Sequence, residues 1–165
     1  MVNGRADSVA AMQIRPATAA DREAILTLVP RLAEWGTPPG RDRHQIEQVD
    51  LRSIAAALTA CAPDSAVLVA EAQARVLGFI HVRTVADYYT QSPIGHVSDV
   101  VVAAQAQGQG VGVGEALLQA AQDWAGARGY GLMQLFVLPE NAAARRLYER
   151  QGYRTEWLKY VRPLP

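Results

Sequence analysis

The feature that most constrains the fold of this chain is a glycine-rich turn between an apolar strand and a helix. Val100-Val-Val102 leads into a turn that carries Gly108, Gly110, Gly112 and Gly114, and an apolar helical pattern follows at once. Because glycine has no Cβ, such a turn can expose successive backbone N–H groups and let a ligand approach closely. The first N–H groups of a helix also lack internal partners and lie at the positive end of its dipole. The segment therefore predicts an anion site suited to a phosphate or a diphosphate.

The spacing of the glycines separates this turn from two common phosphate-binding motifs. A P-loop ends in Gly-Lys-Ser/Thr, and the turn contains no lysine. The dinucleotide motif Gly-x-Gly-x-x-Gly also fails, because Val113 or Glu115 occupies its last position. The turn fits the pattern Gln/Arg-x-x-Gly-x-Gly/Ala, which here runs from Gln107 to Gly112.

With this turn and a second segment, the sequence resembles the GCN5-related N-acetyltransferase (GNAT) family. The turn matches the family's diphosphate loop for acetyl-CoA, and Asn141 to Tyr153 matches its Asn-x-x-Ala-x-x-Leu-Tyr-x-x-x-Gly-Phe/Tyr segment. Ile14 to Asp21 and Gly78-Phe-Ile80 resemble the family's opening and its third strand. The resemblance covers about residues 12–162. It implies the acyl-CoA N-acyltransferase fold, an α/β domain with a central mixed, mostly antiparallel sheet flanked by helices.

Hydrophobic periodicity and turn residues predict one strand, two helices, three strands, a helix, a strand, a helix and a final strand. The predicted strands are 12–15, 66–71, 76–82, 95–102, 132–138 and 157–161. The predicted helices begin after Thr18 and then span 43–60, 110–128 and 139–151, with a loop at 86–94. This mixture agrees with an α/β sandwich on one mixed sheet.

Length and composition limit the classes of protein that fit. The 165 residues suit one domain, expected over residues 12–165 after a flexible tail of residues 1–11. Hydrophobic residues make up 50% of the chain, which excludes a disordered protein. The 16 basic residues balance the 16 acidic ones, so the chain has no net charge that would attract nucleic acid or an anionic membrane. One cysteine, Cys61, allows no internal disulfide and favours a reducing compartment. With no predicted signal peptide or membrane span, we expect a cytoplasmic protein.

The resemblance implies the residues that would bind acetyl-CoA, the expected co-substrate. Strand backbone groups would bond the pantetheine arm, turn N–H groups would hold the diphosphate, and an asparagine would bond the arm. The matching residues are Val100, Val101, Val102, Gln107, Gly108, Gln109, Gly110, Val111, Gly112 and Asn141. Tyr148 would contact the cofactor near its sulfur and protonate the departing thiolate. No metal is expected.

The sequence departs from the family pattern in the turn and in the preceding strand. Gln107 stands where the family more often has Arg, so a side-chain charge on the phosphate is lost and backbone contacts would have to suffice. Ser98 lies where many members carry Glu, which leaves Asp99 as the candidate general base or amine-binding residue. Strand alternation predicts that Ser98 and Asp99 point to opposite faces, so that only one can face the acceptor.

The acceptor is expected to be a primary amine on a small molecule, a peptide or a protein terminus. The candidate acceptor-binding residues are Trp35, His81, Tyr88, Tyr89 and Asp99. The carboxylates of Asp87 and Asp99 would favour a cationic acceptor. A homodimer is common among relatives and stays open. The alternative to an enzyme is a non-catalytic acyl-CoA sensor or regulatory partner on the same fold, which could lack an acid and a base.

Overall fold

The computed structural model describes residues 12–60 and 62–165, so the predicted tail of residues 1–11 and Cys61 lie outside the described residues. The strands are β1 (Gln13–Pro16), β2 (Ser65–Ala72), β3 (Arg75–Ala86), β4 (Pro93–Val102) and β5 (Met133–Leu135). The α-helices are α1 (Arg22–Leu28), α2 (Arg43–Ala60), α3 (Val113–Gly126) and α4 (Ala142–Arg150). Short 3₁₀ helices lie at Ala19–Asp21, Val29–Ala33 and Ala104–Ala106. Within this described part of the chain, no helix is both long and apolar enough to cross a membrane.

All the strands form one sheet in the order β1-β2-β3-β4-β5. The first four pair antiparallel, and β5 pairs parallel to β4. A parallel pair needs a crossover connection, which α3 provides between β4 and β5. The β2–β3 hairpin turns through Gln73 and Ala74, whose φ angles of 51° and 56° suit a type I′ turn. The predicted mixed, mostly antiparallel sheet is confirmed.

Helices cover both faces of the sheet and create two apolar layers. On one face, Leu117 of α3 packs with Ile80 of β3, and Tyr148 of α4 belongs to the same cluster. On the other face, Ile54 of α2 packs with Phe79 of β3 in a cluster that also includes α1. The neighbouring β3 residues 79 and 80 thus enter different layers, as the alternation of a strand requires. We call the two faces the α3–α4 face and the α1–α2 face.

Strand β4 is interrupted near its centre. Its pairing with β3 passes from His81 opposite Asp99 to Val82 opposite Val97, which leaves Ser98 as an extra, bulged residue. The pairing of β4 with β5 also ends at Val97. A bulge bends its strand and disturbs the local ladder. Beyond the bulge the edge of β4 is therefore unpaired, and we call this opening between β4 and β5 the gap.

The last predicted strand, 157–161, is wrong. The structure assigns no strand or helix to residues 153–165. The segment has strand-forming residues, but a strand needs an edge to pair with, and β5 spans only 3 residues, fewer than the predicted 132–138. Trp157 packs instead on the ring of Tyr88, with ring centroids 4.9 Å apart. The other predicted elements are present with shifted ends, and the first helix is divided between 3₁₀ and α segments.

Candidate active site

The gap exposes backbone groups of β4 on the side that faces β5. The Ala103 N–H donates to the Leu77 carbonyl of β3 at 2.8 Å. In an antiparallel ladder, successive residues alternate between bonding the partner strand and pointing away from it. Val102 and Val100 therefore direct their N–H and C=O groups toward the gap, where they could bond an extended, amide-bearing arm. Val101 lies between them, turns its backbone toward β3 and buries its side chain in the α1–α2 layer.

The turn after β4 presents a row of backbone donors. Gly108, Gly110 and Gly112 have φ angles of 73°, 71° and 69°, a conformation that glycine adopts most readily. Among the described residues, the N–H groups of residues 108–112 donate to no protein carbonyl. No atom lies within 4 Å of a Cβ built at Gly108 or Gly110, so the turn is sterically open. Since α3 begins immediately afterwards, its first N–H groups extend the row, and the whole can hold a diphosphate.

A cation that the sequence analysis did not identify lies at the start of this turn. Gln107 uses its N–H to bond the Ala103 carbonyl at 3.1 Å, and its side-chain Oε1 accepts from Arg31 Nη2 at 2.7 Å. Arg31 Nε also donates to the carbonyl of Val102 at 3.0 Å, and Nη1 donates to Glu34 at 2.9 Å. Residues 31 and 107 are 76 positions apart. No local pattern could therefore have indicated this contact.

Tyr148 lies in the apolar cluster that borders the gap. Its exposed fraction is 8%, and the cluster includes Val97 of β4 with Leu135 of β5 packed against it. Burial raises the pKa of Tyr148 to about 12, so the phenol keeps its proton at neutral pH. Asn141 precedes α4, and its Oδ1 accepts from the N–H of Ala144 at 3.0 Å. Asn141 is thus a helix cap, and its side-chain amide N–H groups are left to donate to a ligand.

Asp99 and His81 lie on the α1–α2 face and contact each other. Asp99 Oδ2 is 3.2 Å from His81 Nδ1, and His81 Nε2 is 3.0 Å from Ser65 Oγ. The side-chain exposures of His81 and Asp99 are 7% and 14%, so both are largely shielded from water. We call Ser65, His81 and Asp99 the polar chain. The structure thus brings together two of the residues proposed from sequence and adds Ser65, which the sequence analysis missed.

The expectation that Ser98 and Asp99 point to opposite faces is wrong. Ser98 Oγ accepts from Arg83 Nε at 2.9 Å, whereas Asp99 contacts His81. His81 and Arg83 lie two residues apart on β3 and therefore share one face. The bulge at Ser98 inserts an extra residue and resets the alternation, which places both side chains on the α1–α2 face.

The second carboxylate near Asp99 is Asp50 of α2, rather than Asp87. Asp87 Oδ2 accepts from the N–H and the hydroxyl of Thr90 at 2.8 and 2.7 Å, so it fixes its own loop. Burial, followed by the charges of Asp99 and Glu47, raises the pKa of Asp50. Negative charge is thus concentrated on this face, and a cation would relieve it. The sequence alone could not place Asp50 there, because α2 reaches this face through tertiary packing, with Ile54 against Phe79 of β3.

The predicted aromatic acceptor residues lie outside the polar chain. Trp35 follows the second 3₁₀ helix of the described chain and is 40% exposed. Tyr88 and Tyr89, on the β3–β4 loop, pack on each other and on Trp157. Their acceptor roles stay predictions. In residues 12–60 and 62–165, no group of three or more His, Cys, Asp or Glu side chains could hold a metal ion.

The gap, with a donor-lined turn at one end and a buried phenol beside it, is the arrangement expected of an acyl-CoA N-acyltransferase fold. The sequence matches the model of the Acetyltransferase (GNAT) family over residues 29–153. The chain therefore belongs to the GNAT family, and the resemblance of its motifs is confirmed. A comparison with curated protein sequences gives no match.

Solved structures agree on the fold. A candidate acetyl transferase from Pyrococcus furiosus has a TM-score of 0.75 at 23% identity, over 93% of this chain and 100% of that one. The aminoglycoside N-acetyltransferase AAC(6′)-Iy in complex with CoA has a TM-score of 0.73 at 22% identity, over 96% and 99%. A transcriptional regulator from Bacillus halodurans C-125 has a TM-score of 0.69 at 25% identity, over 92% and 99%. Together with family membership, these likenesses support an acetyltransferase.

Proposed function

We propose that this protein transfers the acetyl group of acetyl-CoA directly to a primary amine of a cationic small molecule, through a ternary complex. The observation that carries the proposal is the break in β4, which has different binding groups on its two sides. Pairing with β5 ends at Val97, and Asp99 follows after the bulged Ser98. An acyl group held in the gap and an amine held at the polar chain would therefore meet at this break.

On the cofactor side, backbone groups carry most of the binding. Acetyl-CoA supplies the acetyl group as a thioester: the amine nitrogen bonds the carbonyl carbon, the carbon–sulfur bond breaks, and CoA departs as a thiolate. In the proposed complex, the N–H groups of residues 108–112 bind the diphosphate, and Val100 and Val102 bond the amides of the pantetheine arm. The side-chain amide of Asn141 donates a hydrogen bond to the arm near the start of α4. Such fixed orientation of two reactants contributes a large share of the rate enhancement.

Asp99 is the proposed general base. A protonated amine must lose a proton before it attacks a carbonyl, and Asp99 accepts that proton directly or through a water. The ring of His81 orients the carboxylate. With its proton on Nδ1, His81 donates to Asp99 and accepts from the Ser65 hydroxyl, so one neutral tautomer satisfies both contacts.

Tyr148 is the proposed general acid. Its pKa of about 12 keeps the phenol protonated across the neutral range. An ordinary thiol has a pKa near 8.5, so full proton transfer from this phenol to a thiolate in water is uphill by roughly 3 to 4 pKa units. Burial also raises the pKa of a thiol at the same place, which narrows the difference between the pKa values of the phenol and the thiol. A hydrogen bond from Tyr148 also stabilises the sulfur as negative charge develops on it.

The charge on the α1–α2 face favours an acceptor with more than one amine. One amine would react at Asp99 while a second, still protonated, lies near Asp50. Two proteins of similar structure are named aminoglycoside acetyltransferases, and aminoglycosides are sugars that bear several amines. We therefore propose polyamines and amino sugars as the acceptor class.

The test measures CoA release from acetyl-CoA by the purified protein across aminoglycosides, polyamines, monoamines and peptides. The wild type is expected to turn over cationic amines, and Tyr148→Phe to lower kcat by roughly 100-fold or more. Tyr153→Phe is the matched control, because its ring is partly buried and lies 6.0 Å from that of Tyr148. Its kcat is expected to stay within a few-fold of wild type. Saturable binding of acetyl-CoA without turnover on any amine would contradict the proposal and support a non-catalytic acyl-CoA sensor.

A further inference from the structure

The diphosphate turn has no positively charged side chain of its own. Residues 107–114 contain no Lys or Arg, and the first position is the neutral Gln107. Glu115, in the first turn of α3, adds a negative charge, which Arg150 partly offsets at 2.9 Å. The backbone N–H groups and the helix dipole supply only partial charges. Any full positive charge on the diphosphate must therefore come from another element.

Arg31 is held at the point where the gap meets the turn. Its guanidinium bonds the Val102 carbonyl on the gap edge, the side chain of Gln107 at the start of the turn, and Glu34. A guanidinium carries five N–H donors in a fixed planar fork. These three contacts use three of the donors and leave two for a ligand. The side chain is 20% exposed, so a ligand can reach it.

We propose that Arg31 supplies the side-chain charge that binds the diphosphate of acetyl-CoA, and that Gln107 is a positioning residue that holds the guanidinium at the turn. The inference rests on the proposed use of acetyl-CoA. The planar fork of an arginine matches two phosphate oxygens. A neutral Gln at 107 accepts a hydrogen bond from Arg31, whereas a second arginine there would repel it. In this chain the charge thus comes from the 3₁₀ helix Val29–Ala33 instead of from the turn.

The test compares ligands with and without the diphosphate. Calorimetry measures the Kd of CoA and dephospho-CoA, and kinetics with the best amine give kcat/KM for acetyl-CoA and acetyl-pantetheine, which lacks the diphosphate. Arg31→Gln is expected to weaken both CoA ligands roughly 10- to 100-fold, the effect of losing a charge-assisted hydrogen bond pair. Its kcat/KM for acetyl-pantetheine is expected to stay near wild type. Arg43→Gln is the matched control, because Arg43 pairs with Glu47 at 2.8 Å much as Arg31 pairs with Glu34 at 2.9 Å.

A double variant separates charge from local structure. Gln107→Arg in the wild type places two guanidinium groups side by side and is expected to improve the affinity for CoA little or not at all. In the Arg31→Gln background, the same change returns a charge to the turn and is expected to recover at least half of the lost affinity on a logarithmic scale. A purely structural role for Arg31 would show no such recovery.

The outcomes distinguish this inference from the proposed function. If Arg31→Gln binds CoA as tightly as wild type, or if acetyl-pantetheine loses as much kcat/KM as acetyl-CoA, the role of Arg31 on the diphosphate is wrong. If Arg31→Gln weakens the binding of CoA but not of dephospho-CoA, Arg31 binds the 3′-phosphate and the inference is equally wrong. Failure of the wild-type protein to bind CoA would instead contradict the proposed function. Thermal unfolding of each variant confirms that the compared proteins are folded.

Discussion

The two sides of the break in β4 present different kinds of chemical group. On the gap side, the groups available to a ligand are mostly backbone groups: those of Val100, the N–H of Val102 and the N–H groups of residues 108–112. On the α1–α2 face they are side chains, and the polar chain draws one each from β2, β3 and β4. A substitution leaves the backbone N–H and C=O groups of a residue in place, but it removes a side-chain carboxylate. Substitutions on the gap side should therefore act through backbone conformation, and those on the α1–α2 face through loss of a reactive group.

The largest expected effect is on the α1–α2 face. Asp99→Asn keeps the shape of the side chain but removes the base, and we expect kcat/KM for the amine to fall by roughly 100- to 10,000-fold. The Kd of CoA should stay near wild type. Ser98→Ala is the control, since it removes only the hydrogen bond from Arg83 on the same face. Activity of Asp99→Asn within a few-fold of wild type would show that the base lies elsewhere.

Tyr148 is a side chain on the gap side whose pKa is raised by burial. Its effect on stability can therefore be compared with that of the side chains on the α1–α2 face. Its folded-state pKa of about 12 exceeds the ordinary 10.0, so burial of the neutral phenol stabilises the fold below pH 10. That contribution is lost as the pH rises toward 12. Between these values the free energy of unfolding of wild type should fall by roughly 2 kcal/mol more than that of Tyr148→Phe.

Denaturant unfolding at a series of alkaline pH values measures this difference. Tyr88→Phe is the control, because it removes a hydroxyl from a ring that is 70% exposed. Parallel curves for wild type and Tyr148→Phe would mean that the phenol is hydrated, which would also weaken its proposed role as a shielded acid.

The same contrast explains which parts of the site could be predicted from sequence. The turn and Tyr148 each lie within one continuous segment, and the glycine spacing and helix pattern of such a segment depend on local backbone geometry. The mixed sheet followed from the order of elements for the same reason. Local motifs thus predict the glycine turn and the position of Tyr148, but not the contact between Arg31 and Gln107.

The acceptor side could not be predicted in this way. The orientation of Asp99 depends on the bulge at Ser98, which exists only in the pairing of β4 with β3. Asp50 reaches this face through tertiary packing and carries no local signature. The predicted strand at 157–161 failed for a related reason, because strand propensity is satisfied only where an edge is available. Residue pattern alone cannot specify contacts between distant segments.

The turn offers a test of conformation without loss of a reactive group. Gly110→Ala adds a methyl group where no atom lies within 4 Å, but at a φ of 71° that an alanine adopts at a cost of about 1 kcal/mol. We expect the Kd of CoA to rise roughly 5- to 10-fold, with kcat little changed. Gly129→Ala is a matched control with a φ of 74° and equally open surroundings at the end of α3. Gly129→Ala should lose similar stability but keep its affinity for CoA. Equal CoA affinities for the two variants would contradict a role for the conformation of Gly110 in CoA binding.

The smallest expected effect tests whether charge on the α1–α2 face selects the acceptor. Burial and the charge of Asp99 raise the pKa of Asp50, so its ionised form destabilises the folded protein above the ordinary carboxyl pKa. Asp50→Asn should therefore raise the free energy of unfolding at neutral pH, by less than about 1 kcal/mol because the group is partly hydrated. The same change should raise KM for a polyamine about three- to tenfold and leave KM for a monoamine unchanged. Glu23→Gln is the control, because it removes the same charge at an exposed position on α1. If Asp50→Asn gains stability but keeps its affinity for the polyamine, Asp50 does not bind the acceptor.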